Sequence, residues 1–197
     1  MIGDIPDLIA RRASLSADRI AFEDAATGRT LTYAALNDHA CRAASLLAAR
    51  GVAKGDRVAI LTRNRIEFFE ILLGCAKLGA ILVPLNWRMP AAELDGLLAD
   101  AGPVLLFHGR EEAAAAAGLA TPLPALHLDR DYAAERDAAP LGNWRSLWPA
   151  GATWYLIYTS GTTGRPKGVI YSFRMALANQ INIGGAKCRD AHDNASR

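Results

Sequence analysis

Between residues 57 and 128 the apolar positions alternate between two textures. Short, nearly unbroken apolar runs occur at Arg57–Thr62, Ala80–Leu85, Val104–Phe107 and Ala125–Leu128. Between them, at Ile66–Leu78, Ala91–Ala101 and the alanine-rich Glu111–Ala117, the pattern is that of amphipathic helices. Continuous runs predict strands buried on both faces, and the intervening stretches predict helices that cover them. Repetition of the pair through short connections predicts an α/β fold: a mainly parallel sheet with flanking helices.

Either side of this region the pattern is weaker. Ile5, Leu8 and Ile9 lie at helical spacing and predict an opening helix, followed by a hairpin with one strand at Ile20–Glu23 and a polar turn at Ala25–Arg29. Thr32 stands where an N-cap belongs, ahead of a stripe of Leu36, Ala40, Ala43 and Leu47 that stops at Gly51. Asp129–Ala150 shows no period and reads as a long connection packed by Trp144 and Trp148. Thr153–Tyr158 and Val169–Tyr171 are rich in β-branched and aromatic residues and predict two strands, with a helix after them over Ser172–Ile183.

A composition of 51% hydrophobic residues over 197 supports a buried core. The formal charge of +2, with cations dispersed, argues against nucleic acid or an anionic membrane surface as partner. Cys41, Cys75 and Cys188 are far apart with no Cys-x-x-Cys pair, which predicts a reducing, cytoplasmic compartment. Met1–Arg12 carries Asp4 and Asp7 where an export signal needs cations and then an apolar run. Lys77 interrupts the most apolar region, Ile71–Leu85, so no transmembrane segment is expected. His39, His108, His127 and His192 read as isolated, and Glu111 with Glu112 as a solvated helix start.

Candidate chemistry concentrates at Tyr158–Val169, which reads Tyr-Thr-Ser-Gly-Thr-Thr-Gly-Arg-Pro-Lys-Gly-Val. Gly161, Gly164 and Gly168 let the backbone turn its N–H groups toward an anion. Thr159, Ser160, Thr162 and Thr163 add hydroxyl donors, while Arg165 and Lys167 supply positive charge. Together they predict a phosphate-binding loop between two strands. It is not a Walker A loop, since Pro166 stands at the second glycine and Gly168 at the Ser/Thr position. Nor is Ser160 on a nucleophile elbow, because Tyr158 occupies the place of the preceding glycine.

The twelve-residue stretch resembles the signature loop of the adenylate-forming superfamily, which includes acyl-CoA and aryl-CoA synthetases, luciferases and the adenylation domains of peptide synthetases. Leu31-Thr32-Tyr33, Gly55-Asp56-Arg57-Val58-Ala59 and Gly79 followed by Val83-Pro84-Leu85-Asn86-Trp87-Arg88 occur in family order. The last run is similar to the acyl-CoA synthetase branch. The resemblance implies the N-terminal part of the large domain of such an enzyme over residues 1–183, and an AMP-forming acid–thiol ligase that converts a fatty or aryl acid to its acyl-adenylate and then its acyl-CoA. It implies ATP, Mg²⁺ and CoA as cofactor and co-substrates. Ser160, Gly161, Thr163, Gly164 and Lys167 would cradle the β- and γ-phosphates, with Thr159 opening the loop and Thr162 offering its hydroxyl to Mg²⁺.

Two departures qualify what is implied. Phe173 stands where the family often has histidine. From Gly184 to Arg197 the chain is polar and aperiodic, which predicts a disordered tail outside the family pattern. The family's later elements, including its ribose-binding aspartate and its catalytic lysine, are not in these 197 residues. The alternative reading is therefore a non-catalytic remnant or partner-binding fragment that at most binds nucleotide weakly. A sheet cut from a larger domain also predicts self-association through its exposed edge.

Overall fold

A computed structural model describes residues 3–159 and 167–182. The chain opens with strand β1 (Asp4–Pro6), helix α1 (Leu8–Leu15), strands β2 (Ile20–Glu23) and β3 (Thr30–Thr32), and the long helix α2 (Tyr33–Ala49). It continues with β4 (Arg57–Leu61), α3 (Ile66–Leu78), β5 (Ile81–Leu85), α4 (Ala91–Ala101), β6 (Leu105–His108), α5 (Ala113–Ala117) and β7 (Ala125–His127). A π-helical turn (Leu128–Tyr132), α6 (Ala133–Ala138) and β8 (Leu147–Pro149) lead to β9 (Thr153–Thr159) and β10 (Lys167–Ser172), and a helix α7 covers 173–182.

The main sheet has six strands in the order β10-β9-β5-β4-β6-β7. All neighbours are parallel except β10, which returns antiparallel to β9. Successive side chains of a strand point to opposite faces, and the central strands use both. Val58, Ile60, Leu82, Leu105 and Phe107 pack with Leu47, Ile71 and Cys75 on the face covered by α2 and α3. Ala59, Leu61, Val83, Leu85 and Leu106 pack with Leu94, Leu97 and Leu98 of α4 on the other. That double burial is why these strands are written as continuous apolar runs.

The expected N-cap is present, with Thr32 Oγ1 accepting from the Ala35 N–H at 3.2 Å. Gly51, at φ 81, follows the end of α2 in the left-handed region that a side chain disfavours. The opening helix is shorter than its spacing predicts. Asp7 Oδ1 accepts from the N–H groups of Ile9 and Ala10 at 3.1 and 3.0 Å, which starts α1 at Leu8. Ile5 is left extended in β1, opposite Trp148 in an antiparallel pair, and meets Leu8 in the same apolar cluster.

Asp129–Ala150 also differs from the expected plain connection, since it holds the π-helical turn, α6 and β8. A buried ion pair and a few apolar side chains without a helical period dock this segment. Arg136, 5% exposed, donates to Glu70 Oε2 at 2.7 Å, and Tyr132 packs edge-on to Phe107 at 5.8 Å between ring centroids. Trp148 is buried as expected, whereas Trp144 is half-buried against Gly142. Among the described residues no helix is long and apolar enough to cross a membrane. The expected tail at 184–197 lies outside the described residues.

Candidate nucleotide-binding site

β9 and β10 form the antiparallel pair that the flanks of the glycine-rich stretch predict. Thr159 faces Lys167 and Tyr158 faces Gly168 in register, so the two strands form a paired neck on either side of residues 160–166. Of the expected phosphate-loop residues, Thr159 and Lys167 are placed at this neck, both exposed. Ser160, Gly161, Thr162, Thr163 and Gly164 lie outside the described residues, and with them the expected Mg²⁺ ligand Thr162. A Cβ at Gly168 would stand 3.3 Å from the Tyr158 ring, so this glycine admits a ring against the neck. The Tyr158 hydroxyl donates to Asp100 Oδ2 of α4 at 2.6 Å. Burial, followed by that carboxylate, pushes the Tyr158 phenol well above its ordinary pKa.

The chain just after the parallel strands gathers charge at one edge of the sheet. β4 has β5 on one side and β6 on the other, and in sheets of this kind ligands bind beyond the carboxyl ends where the order reverses. A cavity of about 580 Å³ opens there, lined by Thr62, Arg63, Arg65, Arg110, Glu112 and Asp129 among others. Arg65 pairs with Glu67 at 2.7 Å and Asp129 at 3.1 Å, and Arg29 also reaches Glu67 at 2.7 Å. Burial alone would push the Glu67 carboxyl up. Hydrogen bonds from Arg65 and Arg29 more than offset it, leaving Glu67 below the usual carboxylate range. Asp129 is lowered in the same way, by Arg65 and the Arg110 N–H against burial. Arg63 of that lining and Arg88 each lie 4.4 Å from the Trp87 ring centroid, within cation–π range.

Two readings of individual residues change. Glu112 is 6% exposed, not solvated, lies against Gly109, and leaves Oε1 without a hydrogen bond. The histidines are not all isolated: the His108 and His127 rings meet at 4.9 Å, and His39 Nδ1 lies 2.8 Å from the buried Glu70. Phe173 is buried between Trp148 and Trp154, at 4.5 and 5.3 Å between centroids, so the ring in the histidine position is a packing residue. These three rings border an apolar cavity of about 540 Å³ with Phe22, Tyr33 and Phe69. Among the described residues no three His, Cys, Asp or Glu side chains gather as a metal site.

Asp100 and the arginines after β4 and β6, Arg63, Arg65 and Arg110, were not singled out from the sequence. A usable signal did exist for the second group, because residues directly following parallel strands share one edge of the sheet.

A doubly covered, mainly parallel sheet that ends in a hairpin with a Gly/Thr-rich, lysine-bearing loop is the framework of an adenylate-forming enzyme's N-terminal domain. A family model described as AMP-binding enzyme matches residues 9–195, and the chain belongs to that family. It is 36% identical over 179 residues to the long-chain-fatty-acid–CoA ligase FadD13 of Mycobacterium tuberculosis, covering 84% of this chain and 34% of the relative. It is 40% identical over 179 residues to a feruloyl-CoA synthase of Amycolatopsis sp, covering 88% and 34%. Among solved structures, the N-terminal domain of FACL13 from Mycobacterium tuberculosis superposes with a TM-score of 0.80 at 34% identity, covering 87% of this chain and 45% of that one. The chain spans about a third of the length of these curated relatives.

Proposed function

We propose that this chain is the first part, residues 1–183, of the large domain of an AMP-forming acid–thiol ligase, one that activates a fatty or aryl carboxylate with ATP and passes the acyl group to CoA. The observation that carries the reading is the paired neck, with Thr159 opposite Lys167 at the mouth of the signature loop, in a member of the AMP-binding family. Lys167 is exposed and contributes a mobile point charge toward a polyphosphate, while Thr159 offers a hydroxyl and a backbone N–H at the opposite strand. Ser160, Gly161, Thr163 and Gly164 would complete the phosphate cradle, and Thr162 would hold Mg²⁺, which neutralises phosphate charge when bound. Phosphoryl chemistry of this kind is mostly positioning and charge stabilisation, so fixing the triphosphate is this segment's share. The names of the relatives, a fatty-acid ligase and a feruloyl-CoA synthase, support fatty or aryl acids as the substrate class. A cytoplasmic location goes with the reading, supported by Cys41 and Cys75 being free thiols.

A second reading is a segment that binds nucleotide without turnover, resting on the paired neck at Thr159 and Lys167 alone. Self-association belongs with it, supported by the edge strand β10, where Val169 and Ile170 are 43% and 58% exposed. One assay separates the two: carboxylate-dependent release of pyrophosphate from MgATP. Turnover that falls at least about tenfold with Lys167→Ala supports the ligase reading, on the scale of a lost charge-assisted contact. MgATP binding without pyrophosphate release, lost in the same variant, supports the binding segment, and neither binding nor release refutes both.

A further inference from the structure

The end of β9 that carries the loop is held to the sheet by little backbone. β9 meets β5 in register at Leu82 opposite Tyr155. Two residues further along β5 stands Pro84, which has no N–H to offer a neighbouring strand. Among the described residues, Ile157, Tyr158 and Thr159 find register partners in β10 alone. Among the described residues β10 is the edge strand, and no strand pairs with the neck beyond it.

A side chain supplies what the ladder does not. The Tyr158 ring packs against the apolar cluster built on Leu94, Leu97 and Leu98 of α4 and lies over Gly168 on the opposite strand of the neck. Its hydroxyl then reaches Asp100 Oδ2, in the last turn of the same helix, at 2.6 Å. One residue thus touches both strands of the neck and the helix beneath them. The rise in the Tyr158 pKa agrees with a phenol held as the donor to a carboxylate.

We infer that Asp100 is a positioning residue for the phosphate loop: through Tyr158 it fixes where the Thr159–Lys167 neck stands against α4, and so where Lys167 presents its charge. The inference rests on the reading of this loop as nucleotide-binding. A phosphate cradle must hold its donors to within a fraction of an ångström, and a tilting neck would spread them over many positions. Gly168 belongs to the same device, since a Cβ there would stand 3.3 Å from the ring and crowd it.

The test uses the 197-residue chain with Asp100→Ala, Asp100→Asn and Tyr158→Phe. Asp100 is exposed and lies at the end of α4, so its replacements leave the core intact. Amide hydrogen exchange at Tyr158, Thr159, Lys167 and Gly168 is compared with exchange in β4. Asp100→Ala and Tyr158→Phe are expected to speed neck exchange about three- to tenfold with β4 unchanged, the scale of one hydrogen bond, while Asp100→Asn keeps an acceptor and stays near the parent. MgATP affinity measured by titration calorimetry is expected to weaken about three- to tenfold in Asp100→Ala and to return in Asp100→Asn. Neck exchange that is unchanged in Asp100→Ala overturns the inference, and so does faster exchange with undiminished MgATP affinity. If the parent chain binds no MgATP, the nucleotide-binding reading falls instead, and the exchange comparison still decides whether Asp100 holds the neck.

Discussion

Gly74 and Gly96 offer a matched pair of substitutions that isolates one close approach in the core. Both glycines lie inside helices, α3 and α4, so replacing either with alanine gains about 1 kcal/mol of intrinsic helix preference. They differ in what a methyl group would meet. A Cβ at Gly96 has nothing within 4 Å. At Gly74 it would stand 2.8 Å from Ala43 Cβ, 3.1 Å from the Ala44 backbone N and 3.3 Å from the Ala40 carbonyl O of α2. None of these atoms can swing aside, so α2 and α3 must separate by several tenths of an ångström. Overpacking of this kind costs about 1–3 kcal/mol. Gly96→Ala is therefore expected to stabilise by up to about 1 kcal/mol, and Gly74→Ala to destabilise by up to about 2 kcal/mol. Urea unfolding reads both, as midpoint shifts of opposite sign at an unchanged slope. A Gly74→Ala midpoint equal to or above that of Gly96→Ala would refute the claim that α2 and α3 touch through this glycine.

Two further outcomes follow from the buried charges. Asp7→Ala leaves Lys77, 3% exposed, without its 2.7 Å carboxylate partner, and is expected to cost about 3–5 kcal/mol in urea unfolding. Lys77→Met in the same background should recover much of that, but not the helix cap that Asp7 also provides. Glu67 and Asp129 have folded pKa values held below their unfolded ones, so the stability they contribute is fully present above the unfolded carboxylate range, about pH 4–4.5, and is lost as the pH falls through the folded values. Thermal unfolding from pH 7 to pH 2 should show a flat upper region and an acid fall that becomes shallower in Arg65→Met. The same acid fall in both proteins would remove Arg65 as the cause.

The central sheet was legible because strands buried on both faces leave continuous apolar runs, and α3 and α4 announce themselves by the stripes that cover those runs. The segment at 128–149 was not, since beyond Leu128 and Tyr132 its hold on the body comes from Arg136 meeting Glu70 and from Ile5 meeting Trp148. Neither a buried ion pair nor a three-residue strand leaves a period. Within the candidate site, the glycines, hydroxyls and lysine of the loop were visible because phosphate chemistry needs them close together in sequence. Asp100 was invisible for the converse reason. Asp95, on the same helix, accepts hydrogen bonds from the backbone N–H groups of Ala120 and Thr121, while Asp100 anchors Tyr158, and nothing local to α4 tells the two carboxylates apart. Glu112 misled in a similar way, because a charge after a strand reads as solvated until the fold buries it against Gly109.

The pairing of β1 with β8 puts the first strand of the chain in an unusual position during synthesis. Asp4, Ile5 and Pro6 lie opposite Pro149, Trp148 and Leu147, and the Asp7 N–H donates to the Ser146 carbonyl at 2.9 Å. On the ribosome β4, α3 and β5 emerge and can dock on one another while β1 still has no partner to pair with. Ile5 is thus made well before the strand that seats it. Until β8 emerges, it lacks the Trp148 side chain it packs against, and its segment is open to chaperones and proteases.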